Sequence, residues 1–344
     1  MTQVQAAGSR GARARRPIEL MAVGDVAEDL FVRLDDGVAR AGAGRRELVL
    51  PLGAKVPVGV PVLVPAGGNA ANVAVAAARL GLSAALVSYV GGDAAGREVL
   101  AGLHHEGVDT RFCRVEPDAA TNRNVVLWCS EDRTILVHHE TYEYHWPHLR
   151  PAEVPRWLYV TSVGAGALDY HDQLADWLEG EPAVRLAFQP GTFQIAAGAS
   201  RLARLYKRAE VVICNRDEAA VIGGGARDDV ASLLEGLRRL GARIAVVTDG
   251  QAGAHASDDE RRLFVPAFAT DEPPLERTGA GDAFAATLVS GLAKGLCLEE
   301  ALSQAPVNAA NVVAHLGAQA GLLDDVELRR RLRRAPGSYV VSEA

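Results

Sequence analysis

Short, continuous apolar runs alternate with longer amphipathic segments along most of the chain. The apolar runs have the length of buried β-strands, and the segments between them have the spacing of α-helices. The predicted strands are 18–23, 84–90, 157–162, 184–188, 210–214 and 244–248, and the predicted helices are 69–80, 93–106, 171–178, 228–240, 283–293 and 298–316. Such strands, separated by helices, are typical of a mostly parallel sheet covered on both faces. The pattern therefore predicts a three-layer α/β fold with ligands at the carboxyl ends of the strands.

Two other regions alternate apolar and polar residues. Residues 45–64 do so but contain three prolines, and residues 124–129 and 133–139 flank a turn as in a β-hairpin. Proline has no N–H to donate, so it confines a strand to the edge of a sheet or to a bulge. These regions therefore predict a small exposed β-sheet outside the central one.

Composition narrows the classes of protein to consider. The chain has 344 residues and a formal net charge of −7, and no apolar run approaches the length of a membrane span. The acidic balance argues against nucleic acid as the main partner. We therefore expect a globular protein that has neither a membrane nor a nucleic acid as its partner.

The cysteines and the termini bear on location and domain limits. Cys113, Cys129, Cys214 and Cys297 show no paired spacing, and no secretion signal precedes them, so we expect reduced thiols and a cytoplasmic protein. Residues 1–17 are rich in arginine, alanine and glycine and are predicted to be a disordered tail. One domain is expected at 18–335, followed by a C-terminal tail at 336–344.

The segment that carries the chemistry lies near the C-terminal end. Gly279, Ala280 and Gly281 allow a tight turn and a close approach of a ligand to the backbone, and a buried helix follows at 283–293. The free N–H groups and the dipole of a helix N-terminus hold a phosphoryl group well. Asp282 then either caps this helix or acts as a general base, and the motif alone leaves both open. The small residues before Asp282 favour the base, because a simple cap needs no close backbone approach.

Two motifs together resemble a known family. Residues 278–282 resemble the C-terminal signature of the ribokinase-like (PfkB-type) carbohydrate kinases, and residues 66–81 resemble their N-terminal signature. The resemblance implies a ribokinase-like α/β/α fold, ATP and Mg²⁺ as cofactors, and a small β lid formed by segments at about 30–64 and 115–140. It also implies that Asp282 is the catalytic base and that the N–H groups of the three preceding residues hold the phosphoryl group.

The resemblance also implies which residues bind the acceptor. Asp29 matches the carboxylate that grips sugar hydroxyls, with Asp25 as a second contact, although either could be an ordinary turn residue. In the N-terminal signature, Gly67 and Gly68 are expected to let the substrate approach the backbone. Asn72, one helical turn later, is expected to bind sugar hydroxyls.

Asn215 and Glu218 follow a predicted strand and resemble the family's Asn-x-x-Glu motif. The resemblance implies that they help to place magnesium and the nucleotide phosphates through water. The same spacing is also that of a capping box, and the residues alone do not decide between the two.

Further nucleotide contacts are implied beyond the next strand. Thr248, Gly250 and Gly253 match the family's phosphate-binding loop, although a tight turn needs the same glycines. Asn308 is expected to line the adenine pocket. A buried asparagine on an apolar helix more often satisfies a neighbouring backbone group.

No direct protein ligands for a metal are predicted. Mg²⁺ is expected to be held by the ATP phosphates and water, with Glu218 acting on it through water. The family commonly has Asp-Thr where this chain has Glu276 and Arg277. Since that aspartate helps to bind a monovalent cation in many members, the need for K⁺ is left open.

The predicted function is transfer of the ATP γ-phosphoryl group to a hydroxymethyl group of a small sugar or sugar derivative. One alternative is a nucleoside kinase of the same fold, with Phe31, Trp128, His138 or Tyr142 beside the base of the nucleoside. Another is a sugar or nucleotide sensor without catalysis. A homodimer through the lid is also expected, because an unpaired sheet edge can recruit a partner.

Overall fold

The computed structural model describes residues 16–34, 39–41, 46–129, 132–270 and 274–344. Its strands are β1 (Leu20–Val23), β2 (Ala27–Arg33), β3 (Ala39–Ala41), β4 (Arg46–Leu48), β5 (Val62–Gly67), β6 (Ala84–Gly91), β7 (Asp109–Glu116), β8 (Arg123–Cys129), β9 (Asp132–His138), β10 (Trp157–Val160), β11 (Arg185–Phe188), β12 (Ala209–Asn215), β13 (Ile244–Thr248), β14 (Ala254–Ser257), β15 (Arg262–Val265) and β16 (Ser342–Glu343). Its helices are α1 (Asn69–Arg79), α2 (Ala94–His105), α3 (Leu168–Gly180), α4 (Thr192–Ala197), α5 (Ala203–Arg208), α6 (Arg216–Gly223), α7 (Val230–Arg239), α8 (Ala280–Ala293), α9 (Leu298–Val312) and α10 (Asp325–Arg333).

A ten-stranded sheet forms the centre of the protein, in the order β16-β15-β14-β13-β12-β11-β10-β1-β6-β7. The strands from β13 to β7 in this order pair in parallel. The remaining strands, β14 to β16, add to β13 in antiparallel fashion. The predicted mostly parallel sheet is therefore confirmed.

Helices cover both faces of this sheet. In β1, Leu20 and Ala22 belong to a core cluster with α1, α2, α8 and α9. Met21 and Val23 belong to a second cluster with α3, α5, α6 and α7. Because successive side chains of a strand point to opposite faces, both faces are apolar, which explains the continuous hydrophobic runs in the sequence. The result is the three-layer arrangement predicted above.

A separate four-stranded sheet, called the lid sheet below, has the order β5-β2-β8-β9. Asp29 pairs with Val64 and with Asn124, and Asn124 pairs with Val137, so these four residues form one row across the sheet. The next row consists of Leu63, Leu30, Val125 and Leu136 and points to the opposite face. Asp29 and Asn124 line a cavity of about 350 Å³, called the main cavity below, so the first row is on the inner face and the apolar second row is on the outer face.

Some predicted boundaries need correction. Within the predicted exposed sheet at 45–64, only Val62 onward joins the lid sheet, while Arg46–Leu48 pairs with Ala39–Ala41 in a separate hairpin. The chain between Val49 and Pro61 has no strand, because its prolines lack the N–H groups that a ladder needs. The helix predicted at 298–316 ends earlier, at Val312.

The sequence predicted a C-terminal tail at 336–344, but part of this segment packs on the fold. Ser342–Glu343 extends the central sheet, with Glu343 opposite Leu263. The Tyr339 hydroxyl donates to the Ser303 carbonyl over 2.7 Å. Strands β7, β14 and β15 were also missed, because they carry polar residues among the apolar ones and lie towards the edges of the sheet.

Within the described ranges, no helix is both long and apolar enough to cross a membrane. Cys113, Cys214 and Cys297 are free thiols.

Candidate active site

The N-terminus of α8 forms a small cradle for an anion. Gly279 precedes the helix with φ 81°, in the left-handed region that favours glycine, and no side chain caps the helix there. A Cβ atom on Gly279 would lie 2.2 Å from the Cβ of Ala318, whereas one on Gly281 would meet open space. The first turn of α8 therefore faces a cavity with uncapped backbone N–H groups, which favour a bound anion. Residues 279–281 are called the anion cradle below.

Asp282 lies in this first turn, and its side chain is directed away from its own helix. Asn72 Nδ2 donates to Asp282 Oδ2 over 2.8 Å, and Gln189 Nε2 lies 3.5 Å from Asp282 Oδ1. The residue that precedes the helix is Gly279, so Asp282 is not its N-cap. Asp282 and Asn72 are 210 positions apart, and only the tertiary fold brings the two signature motifs together.

Burial raises the pKa of Asp282 to about 6, although the hydrogen bonds from Asn72 and Gln189 act in the opposite direction. Loss of water around the charged form is the main cause. A carboxyl group with a pKa near 6 is ionised at neutral pH and accepts a proton more readily than an ordinary aspartate does. Asp282 is thus suited to the role of a general base.

Asp29 lies on the inner face of the lid sheet. Asn124 Nδ2 donates to Asp29 Oδ1 over 2.8 Å. Burial raises the pKa of Asp29 to about 6, Asn124 opposes the shift, and the negative charges of Glu276 and Asp282 add to it. Asp29 is therefore close enough to Asp282 for their charges to interact.

The glycines of the N-terminal signature are explained by contacts within the protein. A Cβ atom on Gly67 would lie 2.0 Å from Asp29 Oδ2, and one on Gly68 would lie 2.7 Å from the carbonyl oxygen of Asp25. Gly68 also has φ 94°. Both glycines therefore make room for the Asp25–Asp29 segment, and of the two only Gly68 also lines a described cavity.

In the described part of the chain, Asp25 is not one of the residues that line the main cavity. Its carboxylate accepts hydrogen bonds from the Tyr144 hydroxyl at 2.9 Å and from the Gly164 N–H at 2.8 Å. The first contact joins the segment after β9 to the end of β1, and the second joins the loop after β10 to it. Asp25 therefore holds these segments together, and its expected second contact with the substrate stays a prediction.

The main cavity, of about 350 Å³, is lined by the lid sheet, the two signature motifs and the ends of the central strands. The predicted site residues that line it are Asp29, Gly68, Asn72, Asn215, Glu218, Thr248, Gly279, Gly281 and Asp282. A second cavity of about 400 Å³ adjoins it, since both are lined by Thr248, Arg277 and Gly281. This second cavity also contains the predicted residues Gly250, Gly253 and Ala280.

The second cavity has mostly apolar walls. Phe268, Pro274 and Phe284 contribute, and α9 adds Pro306 and Ala309. A largely apolar space next to an anion cradle fits a nucleotide, with its base between apolar side chains and its phosphates on the backbone N–H groups.

Asn308 does not line this cavity in the described part of the chain. It is fully buried in α9, where its Nδ2 donates to Thr287 Oγ1 over 2.8 Å and its Oδ1 accepts from the Leu323 N–H over 2.9 Å. The expectation that it lines the adenine pocket is therefore corrected: the side chain points into the core and satisfies its neighbours there.

Asn215 and Glu218 form the capping box that their spacing predicted. Asn215 Oδ1 accepts from the Glu218 N–H, and Glu218 Oε2 accepts from the Asn215 N–H, each over 2.9 Å. Both residues also line the main cavity, and burial raises the pKa of Glu218. The two interpretations of this motif are therefore compatible, because the box holds Glu218 at the cavity wall.

The cavity contains residues that the sequence did not identify, among them Gln189, Asn124 and Arg133. Gln189 directly follows β11, and its position at a strand end was the signal available. Asn124 and Arg133 lie on neighbouring lid strands, and alternation alone does not show which face of a lid meets the substrate.

The four residues considered for contact with a nucleoside base lie outside both cavities. Phe31 is buried beneath the lid sheet, and Tyr142 donates to the Ala120 carbonyl over 2.7 Å. Arg33 covers the ring of Trp128 at 5.3 Å, and His138 is exposed. None of the four lines either cavity.

Within the described residues, no group of three or more histidines, cysteines or acidic residues could hold a metal ion. The carboxylates of Glu218 and Asp282 nevertheless line the same cavity as the anion cradle. This arrangement fits Mg²⁺ that is carried mainly by the phosphates of a nucleotide, and it does not fit a metal held by protein ligands alone.

Comparison with known proteins places these features in a family. Residues 62–325 match the profile of the pfkB family carbohydrate kinases. The chain is 29% identical over 281 residues to the bifunctional protein HldE of Pseudomonas syringae pv. tomato, covering 79% of this chain and 56% of that protein. It is 30% identical over 245 residues to a fructokinase of Klebsiella pneumoniae, covering 66% of this chain and 76% of that protein. The chain thus spans little more than half the length of the HldE relatives.

Solved structures show the same fold. The ribokinase of Arabidopsis thaliana, complexed with ribose and ATP, matches with a TM-score of 0.75 at 19% identity and covers 92% of this chain and 99% of its own. The nucleoside kinase of Burkholderia thailandensis, in complex with inosine, matches with a TM-score of 0.72 at 19% identity and covers 93% of this chain and 99% of its own. The fold is therefore ribokinase-like, and since the family profile matches well over half of the chain, this protein is a member of the pfkB family of carbohydrate kinases.

Proposed function

We propose that this protein is an ATP-dependent kinase that transfers the γ-phosphoryl group to a hydroxymethyl group of a small sugar or sugar derivative. One observation carries the proposal: the buried carboxylate of Asp282, with a pKa of about 6, lies in the first turn of α8 and borders the cavity that contains Asp29. A base between an anion cradle and a hydroxyl-binding carboxylate is the arrangement that phosphoryl transfer to an alcohol needs.

In the proposed reaction, Asp282 takes the proton from the hydroxymethyl oxygen. That oxygen forms a bond to the γ-phosphorus while the bond from this phosphorus to the bridging oxygen breaks, and ADP leaves. The N–H groups of the anion cradle stabilise the charge on the transferred group. Mg²⁺, when bound with ATP, would neutralise part of the phosphate charge, and Glu218 would act on it through water.

Asp29, Asn72 and Asn124 are proposed to bind the sugar hydroxyls. All three line the main cavity, and they offer both acceptors and donors. Val126 and Ile135 of the lid sheet add apolar surface over the same space. A closed lid would exclude water, which otherwise competes as phosphoryl acceptor.

The nucleoside kinase is the second candidate. A nucleoside kinase of Methanothermobacter thermautotrophicus is 25% identical over 272 residues, which supports this class. A nucleoside base needs a broad apolar or aromatic wall beside the sugar, and the four residues considered for this role line neither cavity. The sugar is therefore preferred. A sensor without catalysis is disfavoured, because binding alone does not need a buried base.

ADP release with Mg-ATP against a panel of pentoses, hexoses, sugar acids, sugar phosphates and nucleosides tests the proposal. Asp282→Asn should fold and lose about 10²–10⁴-fold in turnover. Asp169→Asn is the matched control, since Asp169 is an exposed aspartate in the first turn of α3. Turnover by Asp282→Asn near the wild-type rate would exclude Asp282 as the base. Turnover with nucleosides alone would favour the second candidate, and ligand binding without turnover would favour the sensor.

A homodimer through the lid is also proposed. The outer row of the lid sheet is apolar, and Leu63 and Leu136 in it are 46% and 53% exposed. Among the described residues, β5 and β9 are the edge strands of this sheet, and an edge strand can recruit a partner. Sedimentation velocity tests this: a dimer that dissociates in Leu136→Glu supports the proposal, and a monomer at all concentrations contradicts it.

A further inference from the structure

The carboxamides of Asn72 and Gln189 bond to the carboxylate of Asp282, one to each oxygen, and the carboxamide of Asn69 also acts on it. Asn72 Nδ2 lies 2.8 Å from Oδ2, and Gln189 Nε2 lies 3.5 Å from Oδ1. Only the NH₂ end of a carboxamide can donate to a carboxylate, and its oxygen end would repel it. The orientation of both carboxamides therefore matters to the base.

Gln319 bonds to the other end of the Asn72 carboxamide. Its Nε2 donates to Asn72 Oδ1 over 3.0 Å and also to the Ala66 carbonyl. An Asn72 side chain rotated by half a turn would place its NH₂ group against this NH₂ donor. Gln319 thereby selects the orientation in which Asn72 donates to Asp282.

The segment that carries Gln319 is itself well anchored. The guanidinium of Arg79 donates to the carbonyls of Gln319 and Leu322 over 2.7 and 3.0 Å. The same guanidinium is paired with Glu106 by two hydrogen bonds of 2.8 Å each. Gln319 therefore acts on Asn72 from a fixed position.

Tyr159 has the corresponding place on the other side of the base. Its hydroxyl donates to Gln189 Oε1, which leaves Gln189 Nε2 directed at Asp282. Tyr159 is fully buried in β10, and burial raises its pKa well above the usual value. The hydroxyl thus keeps its proton at neutral pH and remains a donor.

We propose that Gln319 and Tyr159 are positioning residues for Asp282, each fixing the carboxamide that donates to one oxygen of its carboxylate. This inference rests on the proposed function. In the described part of the chain, neither Gln319 nor Tyr159 lines a cavity. Gln319 therefore acts through Asn72, and Tyr159 acts through Gln189, and neither contacts the substrate. Together they keep the carboxylate in one orientation toward the acceptor hydroxyl.

Gln319 is tested with two variants. Gln319→Met keeps the length of the side chain and removes its polar contacts, and we expect kcat to fall about tenfold, as for the loss of one hydrogen bond between neutral groups. Gln319→Glu places an acceptor against Asn72 Oδ1 and favours the rotated carboxamide, so its effect should be larger. In both, the KM for ATP should stay near the wild-type value. Gln173→Met is the matched control, because Gln173 is also bonded to the backbone, at the Trp146 N–H, but far from the site.

Tyr159→Phe tests the contact that runs through Gln189 to Asp282, and it keeps the aromatic ring in the core. We expect a fall in kcat of a few-fold, because the Gln189 contact at 3.5 Å is longer. Tyr339→Phe is the control, since it also removes a hydroxyl that donates to a backbone carbonyl, that of Ser303, and keeps the ring, while Tyr339 lines neither cavity.

Two readouts separate positioning from a general loss of stability. Loss of a bond that favours the carboxylate form should shift the acidic limb of the kcat profile to higher pH, which a merely structural defect would not do. A double-mutant cycle of Gln319→Met with Asn72→Ala should be non-additive, because Gln319 acts only through Asn72.

Wild-type pH profiles in both Gln319→Met and Tyr159→Phe, or additive effects in the cycle, would overturn the inference. If Gln319→Met fails to fold, Tyr159→Phe decides the matter alone by the same pH readout. Normal turnover in Asp282→Asn would instead overturn the proposed function, so the two failures are distinguishable.

Discussion

Arg133 Nε of the lid sheet lies 3.4 Å from Oε1 of Glu276, which belongs to the loop before the anion cradle. Glu276 is almost fully buried, and the same oxygen accepts from the Thr278 N–H over 2.6 Å. Its second oxygen, Oε2, is buried and has no hydrogen-bond partner in the described part of the chain. The ion pair therefore connects the lid directly to the backbone that would hold the phosphoryl group, and it supplies positive charge to a buried carboxylate.

Replacement of Arg133 should weaken closure of the lid. In Arg133→Met we expect the KM for the acceptor to rise several-fold, with a smaller change in the KM for ATP, because residues of the lid sheet line the main cavity, where the acceptor is proposed to bind. Steady-state kinetics measures both. Arg123→Met is the control, since Arg123 is also a lid residue but pairs with Glu28 and does not line the cavity. Equal effects of the two variants would contradict a specific role for the Arg133–Glu276 pair.

The same pair bears on K⁺. A buried carboxylate with an unpartnered oxygen needs a positive charge nearby, and Arg133 provides one. We expect the wild type to turn over in buffers without K⁺ or Na⁺, and Arg133→Met to be activated when K⁺ is added. An absolute K⁺ requirement in the wild type would show that the guanidinium does not replace the cation.

Activity should increase with pH through the range in which the two cavity aspartates ionise. The pKa values of Asp282 and Asp29 are both about 6, raised by burial. Asp282 must be ionised to accept a proton, so kcat/KM should rise as the pH passes 6 and then level off. A pH–rate profile from 5 to 8 measures this. In Asp29→Asn the rise should persist, because Asp282 is intact, and a flat profile in the wild type would contradict the assignment.

Asp282 should also destabilise the folded protein at neutral pH. Its pKa is about 6 when folded and 3.8 in the unfolded reference, so between these values the folded state holds a proton that the unfolded chain has lost. The free energy of unfolding therefore falls as the pH rises through this window, by up to about 3 kcal/mol for this group.

Asp282→Asn removes this titration. The variant should be more stable than the wild type at pH 7, and the difference should disappear near pH 4. Thermal unfolding at both pH values measures it, with Asp169→Asn as the control because Asp169 is exposed. A stability difference that does not change with pH would rule out the buried charge as its cause.

Gly67→Ala should displace Asp29. The new Cβ would lie 2.0 Å from Asp29 Oδ2, so the carboxylate must move. We expect a higher KM for the acceptor and a modest loss of stability, measured by kinetics and thermal unfolding. Gly180→Ala, at the end of α3, is the control because its Cβ would meet nothing within 4 Å. An unchanged KM in Gly67→Ala would mean that Asp29 does not contact the acceptor.

Local patterns were sufficient for most of the parallel strands and for the longer helices between them. The continuous apolar runs predicted the parallel strands because strands covered on both faces have no polar side, as β1 illustrates. The tight turn at Gly279 and the helix after it were predicted because their causes are local: φ 81° at the glycine and an apolar run behind it. The capping box at Asn215 and Glu218 is equally local.

The direction of a side chain does not follow from local sequence, and two of the expected site residues line neither cavity. Asn308 and Asp25 were expected at the site because of their positions in the sequence, but Asn308 bonds to Thr287 and Leu323 and Asp25 bonds to Tyr144 and Gly164. A polar residue near a cavity can turn towards it or towards the core, and its partners from distant segments decide which.

The sequence by itself determined the fold class, the two signatures and the carboxylate most suited to be the base, because spacing, backbone preference and residue chemistry are properties of short segments. Only the tertiary structure decided what surrounds that carboxylate. Asn72 reaches Asp282 from 210 positions away, Gln319 bonds to Asn72, and Arg133 reaches Glu276 from the lid. Contacts between segments so far apart depend on how the whole chain packs, and no local pattern specifies them.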